Sequence, residues 1–255
     1  MHVYSSDALV LRTYKYGEAD RIVVFLTEDR GKKRGVAKNA SKSRRRFGAA
    51  LEPLTRGRTT YVERDHRELV RLERVEPKQT PLAAFGRGHG EDMARRLGHA
   101  AYFAELLDEW APDGMPNERL YRLGAAVGDA LVETGSIDAV ARYFEYWLLR
   151  LEGVYPLLDT CPACGEILGG REVVFAALER GYFCSGCTHG GLAISTGALA
   201  FLRTSARRSP GEMAGLGADE GALRELEAVH QDLIAWHLEK HVRSARVIKE
   251  LRPRS

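Results

Sequence analysis

A chain of 255 residues with 44% hydrophobic and 29% charged side chains can enclose a core without covalent staples, which excludes collagen-like, low-complexity and disulfide-scaffold classes. It has no run of about 18 apolar residues, and Met1 to Asp7 lacks a basic segment followed by an apolar one, so a soluble, cytoplasmic protein is expected. The net charge of +3 hides an asymmetry: residues 1–80 hold 19 Lys and Arg against 11 Asp and Glu, a balance of +8, and residues 81–255 hold 19 against 24, a balance of −5.

The first 76 or so residues read as strands. Ala8 to Tyr14 and Arg21 to Thr27 are apolar runs, the second β-branched and too brief for a typical helix, and Gly17 marks the connection between them. Asp29-Arg30-Gly31 supplies turn chemistry before Lys32 to Ala37, so strands two and three form a hairpin. Thr59 to Glu63 and Leu69 to Val75 flank the polar stretch Arg64 to Arg67. Five strands in this length predict a small barrel, with a loop from Lys38 to Gly48 where apolar periodicity is lost.

After Pro77 and Pro81 the apolar spacing lengthens to that of a helix, with Met93, Leu97, Ala100, Ala104 and Leu107 on one face. The domains predicted are a barrel over residues 1–78 and a helical domain over 82–255. Ala111 to Pro116 ends the first helix, Asn117 caps a second, and Gly135-Ser136 precedes a third through Ile137, Val140, Phe144 and Leu148. Ser195-Thr196 opens a helix to about Arg207. Ser209 to Ala218 reads as a glycine-rich loop, and Asp219 to about His241 as a long amphipathic helix.

Two patterns carry chemistry. Cys161-Pro162-Ala163-Cys164 and Cys184-Ser185-Gly186-Cys187 are paired CxxC knuckles at the spacing of a structural Zn²⁺ site, within an insert over about 159–192 whose ribbon strands are Val173 to Phe175 and Gly181 to Phe183. Four thiolates leave no open position, so the metal is structural; His189 is an alternative ligand to Cys187. The second pattern is basic: Arg30, Lys32, Lys33, Arg34, Lys38, Lys42, Arg44, Arg45, Arg46, Arg56 and Arg58 face only Glu52 between residues 30 and 58. Charge alone suits a solvated loop equally well. Confinement to one β module beside Tyr14, Tyr16, Phe47 and Tyr61 points to a nucleic-acid backbone with bases laid on rings, although at least half of those rings belong to the core.

Other motifs fail. His237 and His241 lack the adjacent glutamate of a zinc-protease helix, Gly86 to Gly90 follows no strand, and neither a phosphate loop nor a nucleophile elbow occurs. No residue argues for catalysis.

Leu26 to Lys38, the loop Ser41 to Arg46, and Gly48 to Leu54 resemble the N-terminal domain of the bacterial recombination-mediator family RecO. The likeness continues through Arg142 to Leu149, the four cysteines, Ser195 to Arg203 and Lys240 to Arg246. The resemblance implies a multidomain α+β protein: an N-terminal five-stranded OB-fold barrel and a C-terminal α-helical bundle with an inserted four-cysteine zinc ribbon. It further implies a nucleoid-associated protein that is no enzyme, that binds single- and double-stranded DNA and anneals complementary strands. Implied partners are RecR, RecF, the RecA filament and the acidic, apolar tail of single-strand-binding protein. Family DNA contacts carry over to Lys33, Arg34 and Lys38, with Lys42 to Arg46 as their extension, and the tail contact to Arg142. An RNA-binding OB protein with a zinc ribbon would explain the charge split equally well, and a structural adaptor working through its helical domain is the other alternative.

Overall fold

The computed structural model describes residues 1–43, 46–65, 67–84, 90–133, 135–169, 172–188, 190–217 and 219–251. Alternation of apolar side chains builds the first five strands: β1 (His2–Tyr16), β2 (Asp20–Thr27), β3 (Gly31–Ala37), β4 (Arg56–Glu63) and β5 (Val70–Gln79). Ala8, Val10, Val23, Phe25, Ala37, Tyr61, Leu72 and Val75 turn into one cluster, and the strands close around it in the order β1-β2-β3-β5-β4. This is the OB-type barrel. β1 serves both β2 and β4 because its register slips between Val10 and Arg12, a bulge that supplies the curvature closure needs. A short parallel pairing, Gly35 to Ala37 against Val70 to Leu72, completes the ring.

The stretch after β3 contributes Phe47, Ala50 and Leu51 to the same core, so the expected loop runs into buried apolar residues at its far end. Gly31 opens β3 at φ +69, and a Cβ there would lie 2.2 Å from the Met115 carbonyl oxygen, so only glycine fits.

The chain divides into two compact units: residues 1–134 with 242–255, and residues 135–241. Unit 2 is therefore an insertion in the chain of unit 1. The change from strand to helix at 78–82 falls inside unit 1, which holds α1 (Gly90–Trp110), α2 (Glu118–Ala130) and α7 (Arg243–Glu250) beside the barrel. The reason is physical. Arg12 of β1 pairs with Asp108 at 2.9 Å, Glu109 at 3.5 Å and Glu105 at 3.6 Å on α1. Gly124 of α2 approaches so closely that a Cβ would sit 2.7 Å from Leu107 and 2.8 Å from Leu9. The Ser244 amide at the start of α7 donates to Glu105 at 2.9 Å, a helix the sequence reading did not contain.

Unit 2 holds α3 (Ile137–Leu151), α4 (Thr196–Ser205), α5 (Pro210–Gly215) and α6 (Glu220–Leu238), with β6 (Val173–Ala176), β7 (Gly181–Cys184) and β8 (Leu192–Ile194) in the order β7-β6-β8. Asn117 caps α2 as expected, accepting from the Leu120 amide at 3.1 Å, and Ser136 caps α3, accepting from the Ala139 amide at 3.2 Å. The expected loop Ser209 to Ala218 contains α5, because Ser209 and Glu212 form a reciprocal capping box and Pro210 stands at the first turn. Gly86 to His89 lie outside the described residues, and no helix among the described residues is long and apolar enough to cross a membrane.

Candidate nucleic-acid interface and metal centre

The eleven cations of the basic run divide sharply, Arg30 lying over the Tyr4 ring with Asp29 at 3.6 Å. Lys32 is 7% exposed: its Nζ donates to the Asp108 carbonyl at 2.6 Å and pairs with Asp108 at 3.3 Å and Asp113 at 3.6 Å. It fastens β3 to α1 and offers nothing to a ligand, which corrects its expected DNA contact. Arg56 spans to both Asp129 oxygens at 2.9 and 3.0 Å, binding β4 to α2, with its side chain still partly exposed. Lys33 shares the inward-facing parity of Phe25 and pairs with Glu63 at 2.6 Å. Arg46 lies over the Phe47 ring and donates to the Lys38 carbonyl at 2.6 Å.

Arg34, Lys38, Lys42 and Arg58 are exposed. Arg34 has Asp113 at 3.6 Å, and Arg58 has Ser5 Oγ at 3.0 Å and Asp7 at 3.5 Å. Lys38 Nζ lies 2.7 Å from Asp20, and that bond with the Asn39 amide holds the Asp20 carboxyl below its usual range. Arg44 and Arg45 lie outside the described residues. Of the rings, Phe47 and Tyr61 belong to the core, whereas Tyr14 and Tyr16 stand about half exposed.

Residues the charge run did not include complete the picture. Tyr16, Lys38, Arg64, Arg67 and Arg71 line one cleft of about 550 Å³ at the barrel mouth, floored by Val36, Val62, Leu69 and Val70, with Glu68 at its edge. It gathers the end of β1, the exit of β3 and the β4–β5 connection. Among the described residues Arg64 and Arg67 have no carboxylate partner, and Arg71 reaches Glu73 at 2.7 Å. The signal was present in the arginine spacing 64, 67, 71, 74, outside the densest basic window.

In unit 2 the four cysteines converge, their sulfurs all within 4.8 Å of one another. Cys164 and Cys184 sulfurs are 3.7 Å apart, too far for a disulfide and close to the roughly 3.8 Å edge of a tetrahedron with 2.3 Å metal–sulfur bonds. Each knuckle closes on its own backbone: the Gly165 amide donates to the Cys161 carbonyl at 2.8 Å, with Gly165 at φ +74, and the Cys187 amide to the Cys184 carbonyl at 3.0 Å. The Cys184 backbone, ahead of those of Cys164 and Ala163, lowers the Cys161 thiol to about 6. Hydrogen bonds with Cys184 and Cys164 push Cys187 up to about 12. Four thiols so crowded ionise together only around a cation, so the donor set fits a soft, tetrahedral metal. His189 lies outside the described residues.

Residues 1–81 match the family model Recombination protein O N terminal, and residues 92–246 match Recombination protein O C terminal. The chain belongs to the RecO family. It is 36% identical over 251 residues to a DNA repair protein RecO of Anaeromyxobacter sp. (strain K), covering 96% of this chain and 95% of that one. A DNA repair protein RecO of Koribacter versatilis is 43% identical over 180 residues, 71% of this chain and 70% of that one, and one of Geobacter sulfurreducens is 31% identical over 256 residues, 99% and 100%.

Membership of the RecO family does not carry over the tail contact at Arg142, which the structure corrects. Arg142 is 3% exposed. Its guanidinium meets Glu145 at 2.7 Å on its own helix and Glu227 of α6 at 3.2 Å. Glu145 also accepts from His230 Nδ1 at 3.0 Å, and His230 Nε2 lies 3.2 Å from the Tyr155 hydroxyl, itself 2.9 Å from that of Tyr182. Burial pushes the His230 imidazole below its usual range, outweighing Glu145. The arginine is internal scaffolding of unit 2 and cannot receive a peptide carboxylate without breaking this chain of bonds.

Proposed function

We propose that the chain is a DNA repair protein that binds single-stranded DNA at the barrel mouth and anneals complementary strands. The observation carrying this reading is the cleft where Tyr16, Lys38, Arg64, Arg67 and Arg71 meet over an apolar floor. Cations neutralise phosphates and release counterions, while an exposed ring stacks any base, so the combination grips a strand without reading its sequence. Arg34, Lys42 and Arg58 extend the path along the barrel surface. Exchange of Lys38 from Asp20 to a phosphate swaps one ion pair for another, which favours reversible over permanent binding.

Zinc is the metal proposed for Cys161, Cys164, Cys184 and Cys187; bound there it supplies a structural cross-link, with no position open for substrate. Family membership supports the wider role: work with RecR and RecF in the bacterial cytoplasm, loading of RecA onto strands coated by single-strand-binding protein, and no reaction catalysed by the chain itself.

The test is a salt titration of single-strand affinity with Arg64→Ala/Arg67→Ala beside the wild type, on DNA and on RNA. Each phosphate contact contributes about −0.7 to the slope of log K against log salt, so the double variant flattens it by roughly 1.4. An unchanged slope places the strand elsewhere, and stronger binding of RNA favours an RNA-directed protein.

A further inference from the structure

A second cationic cleft lies wholly inside unit 2 and takes no part in the reading above. Arg150 at the end of α3, and Arg203, Arg207 and Arg208 at and after the end of α4, surround a space of about 640 Å³ walled by Pro156, Leu157, Leu158 and Leu202, with Asp159 as its acidic side chain. Arg208 is held by Glu212 at 2.8 Å, and Arg150 donates to the Tyr146 hydroxyl. Among the described residues Arg203 and Arg207 have no acidic partner. Leu157 is 77% exposed at the rim.

Guanidinium groups near a helix carboxyl end complement the helix dipole, which accounts for Arg150 and Arg203 as stabilisers. It does not account for Arg207, beyond the end of α4, nor for the apolar wall between the cations. The surplus of charge selects the ligand. A single arginine fork satisfies a carboxylate, whereas a phosphate monoester carries up to two charges and three acceptor oxygens and suits several guanidinium groups at once. The rest of unit 2 selects its size. Residues 135–241 hold 9 Lys and Arg against 14 Asp and Glu, a balance of −5, so a long polyanion is repelled from this unit while a single terminal group can enter a cationic cleft. The volume is that of a small-ligand site, and the leucine and proline wall offers a flat apolar face to a sugar and base.

We propose that this cleft holds the phosphorylated end of a DNA strand, with Arg203 and Arg207 on the terminal phosphate and the end nucleoside against Leu157 and Leu158. The proposal rests on the DNA reading of the barrel, and it gives the protein a way to tell a strand end from a strand interior.

The experiment measures affinity of the full chain for a short oligonucleotide carrying a 5′-phosphate, a 3′-phosphate or hydroxyls at both ends. The wild type should prefer one phosphorylated form by about tenfold, the effect of one charge-assisted hydrogen bond. Arg203→Ala/Arg207→Ala should abolish that preference and keep the affinity for the hydroxyl-ended strand. Thermal melting accompanies each variant, since a purely structural role lowers stability and leaves end discrimination intact. Equal affinity for all three strands overturns the proposal, as does a preference that survives the double substitution. Displacement of the phosphorylated strand by an acidic peptide or a free mononucleotide at equal concentration overturns the strand end as occupant. Failure to bind any oligonucleotide sinks the barrel reading itself, and this one with it.

Discussion

Arg142 in α3 and Arg67 beside the barrel mouth carry the same guanidinium into opposite surroundings. Arg142 is walled in, with Glu145, Glu227 and His230 fixing its bonds, whereas Arg67 stands at the rim of a cleft and has no carboxylate among the described residues. Lys32 and Lys38, six positions apart on one basic run, differ in exposure alone, since Lys32 is buried against Asp108 while Lys38 stands in solvent with Asp20 at 2.7 Å. Charge that is enclosed and satisfied holds a fold together, and charge that is exposed and left over is available to a ligand. Net charge along the sequence counts both alike, and for that reason it does not tell the enclosed Lys32 from the exposed cations around it.

The contrast can be sharpened by removing enclosed charge first. Stripping the metal proposed for the four cysteines should have the largest effect, since sites of this kind bind with about 10–16 kcal/mol. Hydrogen exchange should show residues 161–194 losing protection, with strand affinity of the barrel unchanged. Loss of protection across β1 to β5 would contradict the division into units. Next comes Arg142→Ala, which leaves Glu145 and Glu227 buried without their cation and should destabilise unit 2 by about 3–5 kcal/mol in urea unfolding. A wild-type midpoint would mean that the network contributes nothing to the fold.

Lys32→Met should lower the stability of unit 1 by about 1–3 kcal/mol, because the Asp108 carbonyl and carboxylate lose a nearly buried donor. Single-strand affinity should stay at the wild-type value, and a drop with unchanged stability would return Lys32 to the ligand side. The smallest effect belongs to the capping box of α5. The Ser209 amide, then Arg208, then the Ser209 hydroxyl hold Glu212 at about 2, below its ordinary 4.5. A depressed carboxyl stabilises the fold above its unfolded value, so this contribution should fade as pH falls from about 4.5 towards 2. Glu212→Gln should remove the fading from the acid limb of the unfolding curve.

Much of this was legible in the sequence. The five strands, the Asn117 cap, α6 and the paired knuckles follow from periodicity, cap chemistry and spacing, which are local properties. The misses share a non-local cause. Lys32 is buried because Asp108 lies opposite, 76 residues away in the chain, and Arg142 because α6 supplies Glu227 and His230. Arg64, Arg67 and Arg71 join Lys38 and Tyr16 only when the barrel closes β3 onto β5. α7 was passed over because eight residues with one fully buried side chain carry little periodic signal, and β8 because three residues carry none.

The insertion of unit 2 between residues 134 and 242 also fixes an order of events during synthesis. Ribosomes build from the amino end, so the barrel strands and α1 emerge first, then all of unit 2, and only afterwards the helix that docks on α1. Until that segment arrives, Glu105 lacks the Ser244 amide and Gly98 lacks the Leu251 side chain that comes to rest against it. The enclosed part of the nascent chain can therefore settle while the enclosing part still waits, the reverse of domains maturing one after another from the amino end.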